Sequence, residues 1–457
     1  MKKHIDMTNL TAATHPHDAG TPDHNRAATA TTAHADNASK RAVIAASTGN
    51  ALEWYDFTVY ALFAVYIGQN FFQNEDPTVQ LMASFLAFGL GYIARPLGAL
   101  ILGSYGDRKG RKAALSMTIM LMAIGTLLIA IAPPYAAIGI GAPLLIVCGR
   151  VLQGFSAGGE VGGATAFLIE HAPAEKRGLY ASWLQASMGI SNVLAALVAT
   201  IVTKMFTPEQ VGEWAWRIPF ILGLAIAPVG LWMRRALDET PHFKEEAARA
   251  EKSGQQDKQP LLKVLRECPR QLITGLGMSV LWAAGPYALI IYLPIYVQKN
   301  MGFASSDAFA AALVGNFFLI GGCLLSGALS DRIGRRNMLR IGALLILVAA
   351  YPLLAWLDSV RTPMALIAVQ SAMCGLVALF VGSAPAALSE IFPTAVRSSG
   401  MSLSYNTAVT ILGGFAPALL TWISYSTGVS HAPALYAMAA AVIALIAISF
   451  LPAPSKD

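Results

Sequence analysis

The chain is short of charge: Asp, Glu, Lys and Arg make up only 13% of its 457 residues, against 55% hydrophobic residues. Ordinary soluble domains carry about 25% charge, so this chain cannot cover a water-facing surface of its size. It is also short of cysteine. Cys148, Cys268, Cys323 and Cys374 show no paired or metal-type spacing, which excludes a disulfide framework and leaves buried free thiols as the expected state. Nucleophile motifs, metal clusters and phosphate loops are missing, and the glycine runs fall inside apolar stretches. An enzyme has no support, and neither a cofactor nor a metal is expected. The net charge of +6 would suit nucleic acid only if the basic residues lined one face. They sit between apolar stretches instead, which excludes a nucleic-acid partner. No apolar core follows Lys2 and Lys3, so a cleavable signal peptide is not expected. Residues 1–41, rich in Ala, Thr and His, read as a disordered cytoplasmic tail rather than a metal-binding one.

What is there instead is a run of apolar stretches of membrane length. A membrane helix needs about 20 mainly apolar residues. Segments near 43–70, 79–104, 113–132, 138–170, 178–203, 215–236, 270–298, 308–330, 338–357, 362–390, 398–424 and 433–452 qualify. The expected fold is an all-α membrane protein with twelve transmembrane helices in two six-helix bundles, at 42–236 and 269–452. A polar cytoplasmic loop at 237–268 joins them, and a short tail at 453–457 follows. Lys and Arg collect on the cytoplasmic side of such proteins. With the N-terminus inside, only Lys204, Arg217, Lys299 and Arg361 of the 32 fall on the opposite side, and Arg95 and Arg150 fall within spans. Both termini are therefore expected in the cytoplasm.

Two cytoplasmic loops spell nearly the same sequence. Between spans 2 and 3 stands Gly103-Ser-Tyr-Gly-Asp107-Arg108-Lys-Gly110-Arg111-Lys112; between spans 8 and 9 stands Gly327-Ala-Leu-Ser-Asp331-Arg332-Ile-Gly334-Arg335-Arg336, with Asp331 224 residues after Asp107. A second pair follows spans 4 and 10: Glu170-His-Ala-Pro173-Ala-Glu-Lys-Arg177 and Glu390-Ile-Phe-Pro393-Thr-Ala-Val-Arg397, 220 residues apart. Two motifs repeating at nearly one offset indicate a duplicated six-span unit. Glycines permit sharp turns, Asp can cap a helix start, and Arg forks bind carboxylates; the loops read as gates. Here the chain resembles the major facilitator superfamily, whose signature loop has this Gly-x-x-x-Asp-Arg-x-Gly-Arg-Lys pattern. The resemblance implies two pseudo-symmetric bundles, a central cavity and alternating access. It also implies that Gly103, Asp107, Arg108, Arg111, Asp331, Arg332 and Arg335, with Glu170, Arg177, Glu390 and Arg397, work the cytoplasmic gate.

Charge inside a membrane costs roughly 2.5–3.5 kcal/mol per residue on insertion scales. The first half nevertheless carries Glu53, Asp56, Arg95, Arg150 and Glu160 within its spans, so these must face a polar cavity or one another. Glu53 lies ~15 Å deep and Arg95 ~18 Å from the same side, at a rise of about 1.5 Å per residue. Glu53 and Asp56, three apart, are expected on one helix face beside that cation. An intramembrane carboxylate is a natural proton carrier, and a buried Arg offers a fork for a carboxylate. A salt bridge that only joins helices, Glu53 to Arg95 or Asp56 to Arg150, is the plain alternative. The second half offers only Asn316, Asn406, Trp282, Tyr287, Tyr292 and Tyr296.

Four strings narrow the resemblance: Gly49-Asn50-Ala-Leu-Glu53-Trp54-Tyr55-Asp56-Phe57, Arg95-Pro96-Leu-Gly98, Gly149-Arg150-Val-Leu-Gln153-Gly154-Phe-Ser156-Ala-Gly158-Gly159-Glu160, and Trp216-Arg217-Ile-Pro219-Phe220. They look like the metabolite–proton symporters, a family that includes citrate, α-ketoglutarate, shikimate and proline/betaine symporters. That resemblance implies a monomeric bacterial inner-membrane symporter of protons and a small carboxylate such as citrate. It puts Arg95, Asn50, Tyr55, Arg150, Gln153 and Arg217 on the solute and Glu53, Asp56 and Glu160 on proton coupling. Proton symport of a zwitterion or related metabolite, proline/betaine or shikimate-like, is the alternative. A receptor built on a transporter scaffold is remote, because the 237–268 loop is too small for an output domain.

Overall fold

The computed structural model describes residues 47, 50–51, 53–109, 111–158, 160–170, 172–235, 260–393 and 396–451. The expected 1–41 tail, most of the 237–268 loop and the 453–457 tail lie outside the described residues.

Every described span is a helix, and among the described residues no strand occurs. The spans are α1 (residues 53–71), α2 (Pro77–Leu102), α3 (Arg111–Ile131), α4 (Gly141–Thr165), α5 (Ala174–Met205) and α6 (Ile218–Arg235). The second half repeats them as α7 (Pro269–Met301), α8 (Ser305–Ile333), α9 (Arg335–Val360), α10 (Pro363–Ile391), α11 (Arg397–Thr427) and α12 (Ala432–Ser449). A short helix, Pro260–Glu267, ends the polar loop. Large apolar side chains such as Ile131, Met205, Ile273, Val348 and Phe450 stay exposed, which in a membrane means facing lipid. Cys268, Cys323 and Cys374 are buried, but Cys148 is exposed, contrary to the expectation for it. A thiol on an apolar helix tolerates lipid as readily as core.

Helix ends follow local chemistry. Asp76 caps α2 by accepting the Thr78 N–H at 2.7 Å, with Pro77 next. Thr362 caps α10 in the same way, ahead of Pro363. The two halves meet mainly along α5–α8 and α2–α11. Within the first half, α2 crosses α4 at Gly91, Gly98, Gly154 and Gly158; a Cβ on Gly154 would collide with the Gly91 carbonyl, and one on Gly158 with that of Arg95. Small residues let the two backbones touch, and the crossing fixes the backbone that carries Arg95. Two π turns interrupt the second half, Tyr287–Tyr292 in α7 and Val409–Gly414 in α11. Both lie against the first half.

Candidate functional site

Arg95 is fully buried at the meeting of the halves, and its Nη2 donates to Glu53 Oε1 at 3.0 Å. The partners come from α2 and α1, at the similar depths that helix rise predicts. Its guanidinium carbon lies 4.4 Å from the Tyr92 ring centroid and 5.0 Å from that of Phe57, so two aromatic faces supply part of the stabilisation that water would give. Nε and Nη1 have no hydrogen-bond partner among the described residues. The second half closes over this pair with rings. Trp54 lies 6.0 Å from Tyr287, Tyr92 and Tyr287 touch hydroxyl to hydroxyl at 2.5 Å, and Trp282 lies 4.4 Å from Tyr405. The Trp282 indole N–H is buried and also lacks an acceptor among the described residues. The result is an aromatic cage around one guanidinium with unspent donors.

Asp56 does not join Glu53 beside Arg95, and here the structure corrects the expectation of one shared site. Positions three apart are neighbours on a helix, but different helices pack against the two side chains: α2 brings Arg95 to Glu53, while α3 and α4 bring Thr126 and Gln153 to Asp56. Asp56 turns into the first bundle, accepts the Thr126 hydroxyl of α3 and faces Gly223 of α6. Gln153 of α4 donates to Thr126 at 2.9 Å and reaches Asp56 at 3.5 Å. Its amide oxygen accepts from Arg150 Nη1 at 2.7 Å. Arg150 then lies 4.5, 4.6 and 4.6 Å from the ring centroids of Phe57, Tyr60 and Phe88. Phe57 is thus shared by both guanidiniums, and two polar clusters stand where one was expected.

The remaining predicted site residues are engaged in holding helices. Asn50 donates to the Leu184 carbonyl and the Ser187 hydroxyl of α5, at 2.8 and 2.9 Å. Tyr55 donates to the Pro219 carbonyl of α6 at 2.9 Å. Arg217 clamps the end of α3 through the carbonyls of Ala130 and Ala132, at 2.8 and 2.9 Å, and lies over Trp216. The side chain of Glu160 lies outside the described residues. Sequence reasoning missed Asn192, which accepts from Thr58 at 2.6 Å and donates to Asn316 of α8 at 3.1 Å. Beside this bridge is a cavity with room for about one water. Asn406 bridges the halves too, donating to the Gly158 carbonyl at 2.9 Å.

The gate motif is visible in its second copy. Asp331 accepts the backbone N–H groups of Gly178 and Leu179 at 2.8 and 3.0 Å, across the halves at the start of α5. There the carboxylate meets unsatisfied donors and the positive end of the helix dipole. Arg335 holds Asp331 at 2.7 Å and Glu390 at 3.2 Å. Arg397 donates to the Ser389 carbonyl at 3.0 Å, while Arg332 and Arg177 are exposed. The side chains of Asp107, Arg108, Arg111 and Glu170 lie outside the described residues, and Gly103 is helical.

Comparison with known proteins agrees with this architecture. The Major Facilitator Superfamily model matches residues 46–417 and 324–457. The citrate-proton symporter of Klebsiella pneumoniae is 35% identical over 413 residues, covering 90% of this chain and 91% of the relative. The proline/betaine transporter of Salmonella typhimurium is 35% identical over 420 residues, covering 90% and 83%. The xylose transporter XylE from E. coli, in a partially occluded inward-open conformation, superposes with a TM-score of 0.73 at 17% identity, covering 92% of this chain and 99% of that one. The duplicated six-helix unit, the gate loops and these matches lead to one conclusion: the chain is a membrane transporter that belongs to the Major Facilitator Superfamily.

Proposed function

We propose that the protein takes up a small organic anion together with protons by alternating access. In this reading it works as a monomer in the bacterial inner membrane, with both termini cytoplasmic. The observation that carries the reading is Arg95, buried between the halves, tied to Glu53 by one N–H and left with Nε and Nη1 to satisfy. A buried donor without an acceptor costs roughly 1–3 kcal/mol, and a carboxylate placed on the free side of the guanidinium fork removes that cost. Proton and solute then act on the same cation. A proton on Glu53 cancels the charge that holds Arg95, which strengthens the pull of the guanidinium on a solute carboxylate at its free side. Citrate, proline and betaine, named for relatives of equal 35% identity, share a carboxylate. Asp56 serves as a second proton carrier, with Glu160 as a further candidate, while Gln153 and Arg150 orient Asp56.

Charge count favours a second reading, a zwitterion. In the second half the cage offers the neutral groups Trp282, Tyr287, Tyr405 and Asn406. A tricarboxylate would bring three charges to one guanidinium, whereas a cation beside a single carboxylate would meet aromatic faces. Uptake into proteoliposomes under an imposed inward proton gradient separates the readings, with citrate, dicarboxylates, shikimate and betaine as solutes. Gradient-driven accumulation of at least one organic acid is expected, and betaine alone selects the second reading. No accumulation of any carboxylate-bearing solute removes both. Glu53→Gln is expected to keep solute exchange and lose accumulation against a gradient. Unchanged accumulation would remove Glu53 from proton coupling.

A further inference from the structure

Tyr92 is the residue through which three separate contacts across the halves pass, and it also stacks on the buried cation. It is fully buried and sits three positions before Arg95 on α2, so ring and guanidinium share a helix face at 4.4 Å. Its hydroxyl meets that of Tyr287 at 2.5 Å. Its carbonyl accepts the Thr410 hydroxyl at 3.0 Å. Its ring packs on Gly414, where a Cβ would collide with it. Tyr287 lies in one π turn of the second half, and Thr410 and Gly414 lie in the other.

The sequence explains why that carbonyl reaches outward. In a regular helix it would accept the N–H four residues on, which is residue 96. That residue is Pro96, which has no N–H to give. The α2 ladder lacks this one hydrogen bond while Ala94 keeps helical dihedrals (φ −74°, ψ −16°), and Thr410 provides a hydroxyl donor from the opposite half. The missing rung falls between Tyr92 and Arg95. π turns are rare interruptions of an α-helix and are frequent at functional sites.

We infer that Tyr92 is a positioning residue that couples the Glu53–Arg95 pair to closure of the halves on the side where α2 begins. The inference rests on the proposed proton role of Glu53. With Glu53 ionised, Arg95 stays over the Tyr92 ring and the ring holds both π turns. With Glu53 neutral, Arg95 is released toward a solute carboxylate and the ring loses its cation. The groups in contact with Arg95 are Glu53 and Phe57 from α1 and Tyr92 from α2.

The test reads gate opening and needs no transport. Ala312→Cys, beside the cavity between the halves, is placed in a protein whose native cysteines are replaced by serine. Its labelling rate with a membrane-impermeant maleimide is measured in right-side-out vesicles. Glu53→Gln is expected to change that rate by roughly tenfold, within the 5–150-fold range of site-to-site couplings. Tyr92→Leu, which removes ring and hydroxyl, should shrink the effect of Glu53→Gln to below about twofold. Tyr92→Phe keeps the ring and loses the hydroxyl, and Tyr287→Phe loses the same contact from the other half. Each should reduce the effect in part, and the double variant should match either single one. A full effect of Glu53→Gln in Tyr92→Leu and Tyr287→Phe overturns the coupling through Tyr92 while leaving the role of Glu53 intact. No effect of Glu53→Gln with Tyr92 present overturns both.

Discussion

At the scale of single residues, the proposed solute site depends on Arg95 being a planar fork rather than a point charge. One of its N–H groups is spent on Glu53, and the guanidinium plane is held by Tyr92 and Phe57. Lysine would keep the charge and the Glu53 contact but lose both the second N–H edge and the stacking geometry. Arg95→Lys is therefore expected to weaken solute binding by about 2 kcal/mol, or roughly thirtyfold in apparent affinity. Solute concentration dependence of counterflow measures it, and an unchanged half-saturation would remove Arg95 from the solute. Arg95 and Glu53 are legible as partners from sequence because depth along a helix is set by residue count alone. The partner of Asp56 is not, because Thr126 is a lone hydroxyl in an apolar span and gives no signal. Trp282 and Tyr287 stand out by composition, but composition does not say which rings meet across the halves. Asn50, Tyr55 and Arg217 sit in the most informative strings, yet each is bonded to backbone of a neighbouring helix. A motif preserves helix packing as readily as solute contact.

At the scale of elements, the proposed gate is a helix terminus met by a carboxylate. Asp331 neutralises the start of α5 through two N–H groups, while Arg335 holds it from its own half. The terminal donors of α5 have no intrahelical acceptor, so Asp331 supplies acceptors that water would have to supply if this contact opened. Asparagine keeps one acceptor and loses the charge that favours the dipole and the Arg335 pair. Asp331→Asn should shift the equilibrium toward cytoplasmic opening by about 1 kcal/mol, or roughly fivefold. Labelling of Ser182→Cys, buried on α5 against Gly327, measures this in inside-out vesicles; an unaltered rate would make Asp331 a bystander. Helix existence and span limits are legible because apolar length decides them. The π turns are not, because one extra residue per turn leaves no periodicity to read. Each does run into a proline, Pro294 and Pro417, whose missing N–H disfavours a regular ladder.

At the scale of the whole molecule, the halves touch at both ends of the central site. Asp331 and Asn406 join them toward the gate loops. Tyr92–Tyr287, Phe63–Phe309 and the Tyr425 hydroxyl on Asp76 join them toward the other side. Duplication explains the legible part of this plan, since two copies of one unit must face each other about a shared axis. The Asp76–Tyr425 contact lies outside the repeat motifs and was not legible. It joins the first turn of α2 to the last turn of α11 at 2.6 Å. The Tyr425 hydrogen bond, with the Thr78 backbone N–H behind it, holds the Asp76 carboxyl below its ordinary value of 3.8. A carboxylate with a lowered pKa contributes its contact above the ordinary carboxylate range and loses it only as pH falls through the lowered value. The contact is therefore fully present from pH 8 down to about pH 5, and proton coupling in that window must arise elsewhere. Asparagine still caps a helix nearly as well as aspartate, so Asp76→Asn removes the charge at the gate and spares α2. It should raise labelling of Ala312→Cys from that side by about two- to threefold, an exposed contact being weak. The pH profile of uptake between 5 and 8 should keep its shape. A profile displaced along the pH axis would mean that Asp76 takes part in proton coupling, and an unchanged labelling rate would mean that Tyr425 does not latch the halves.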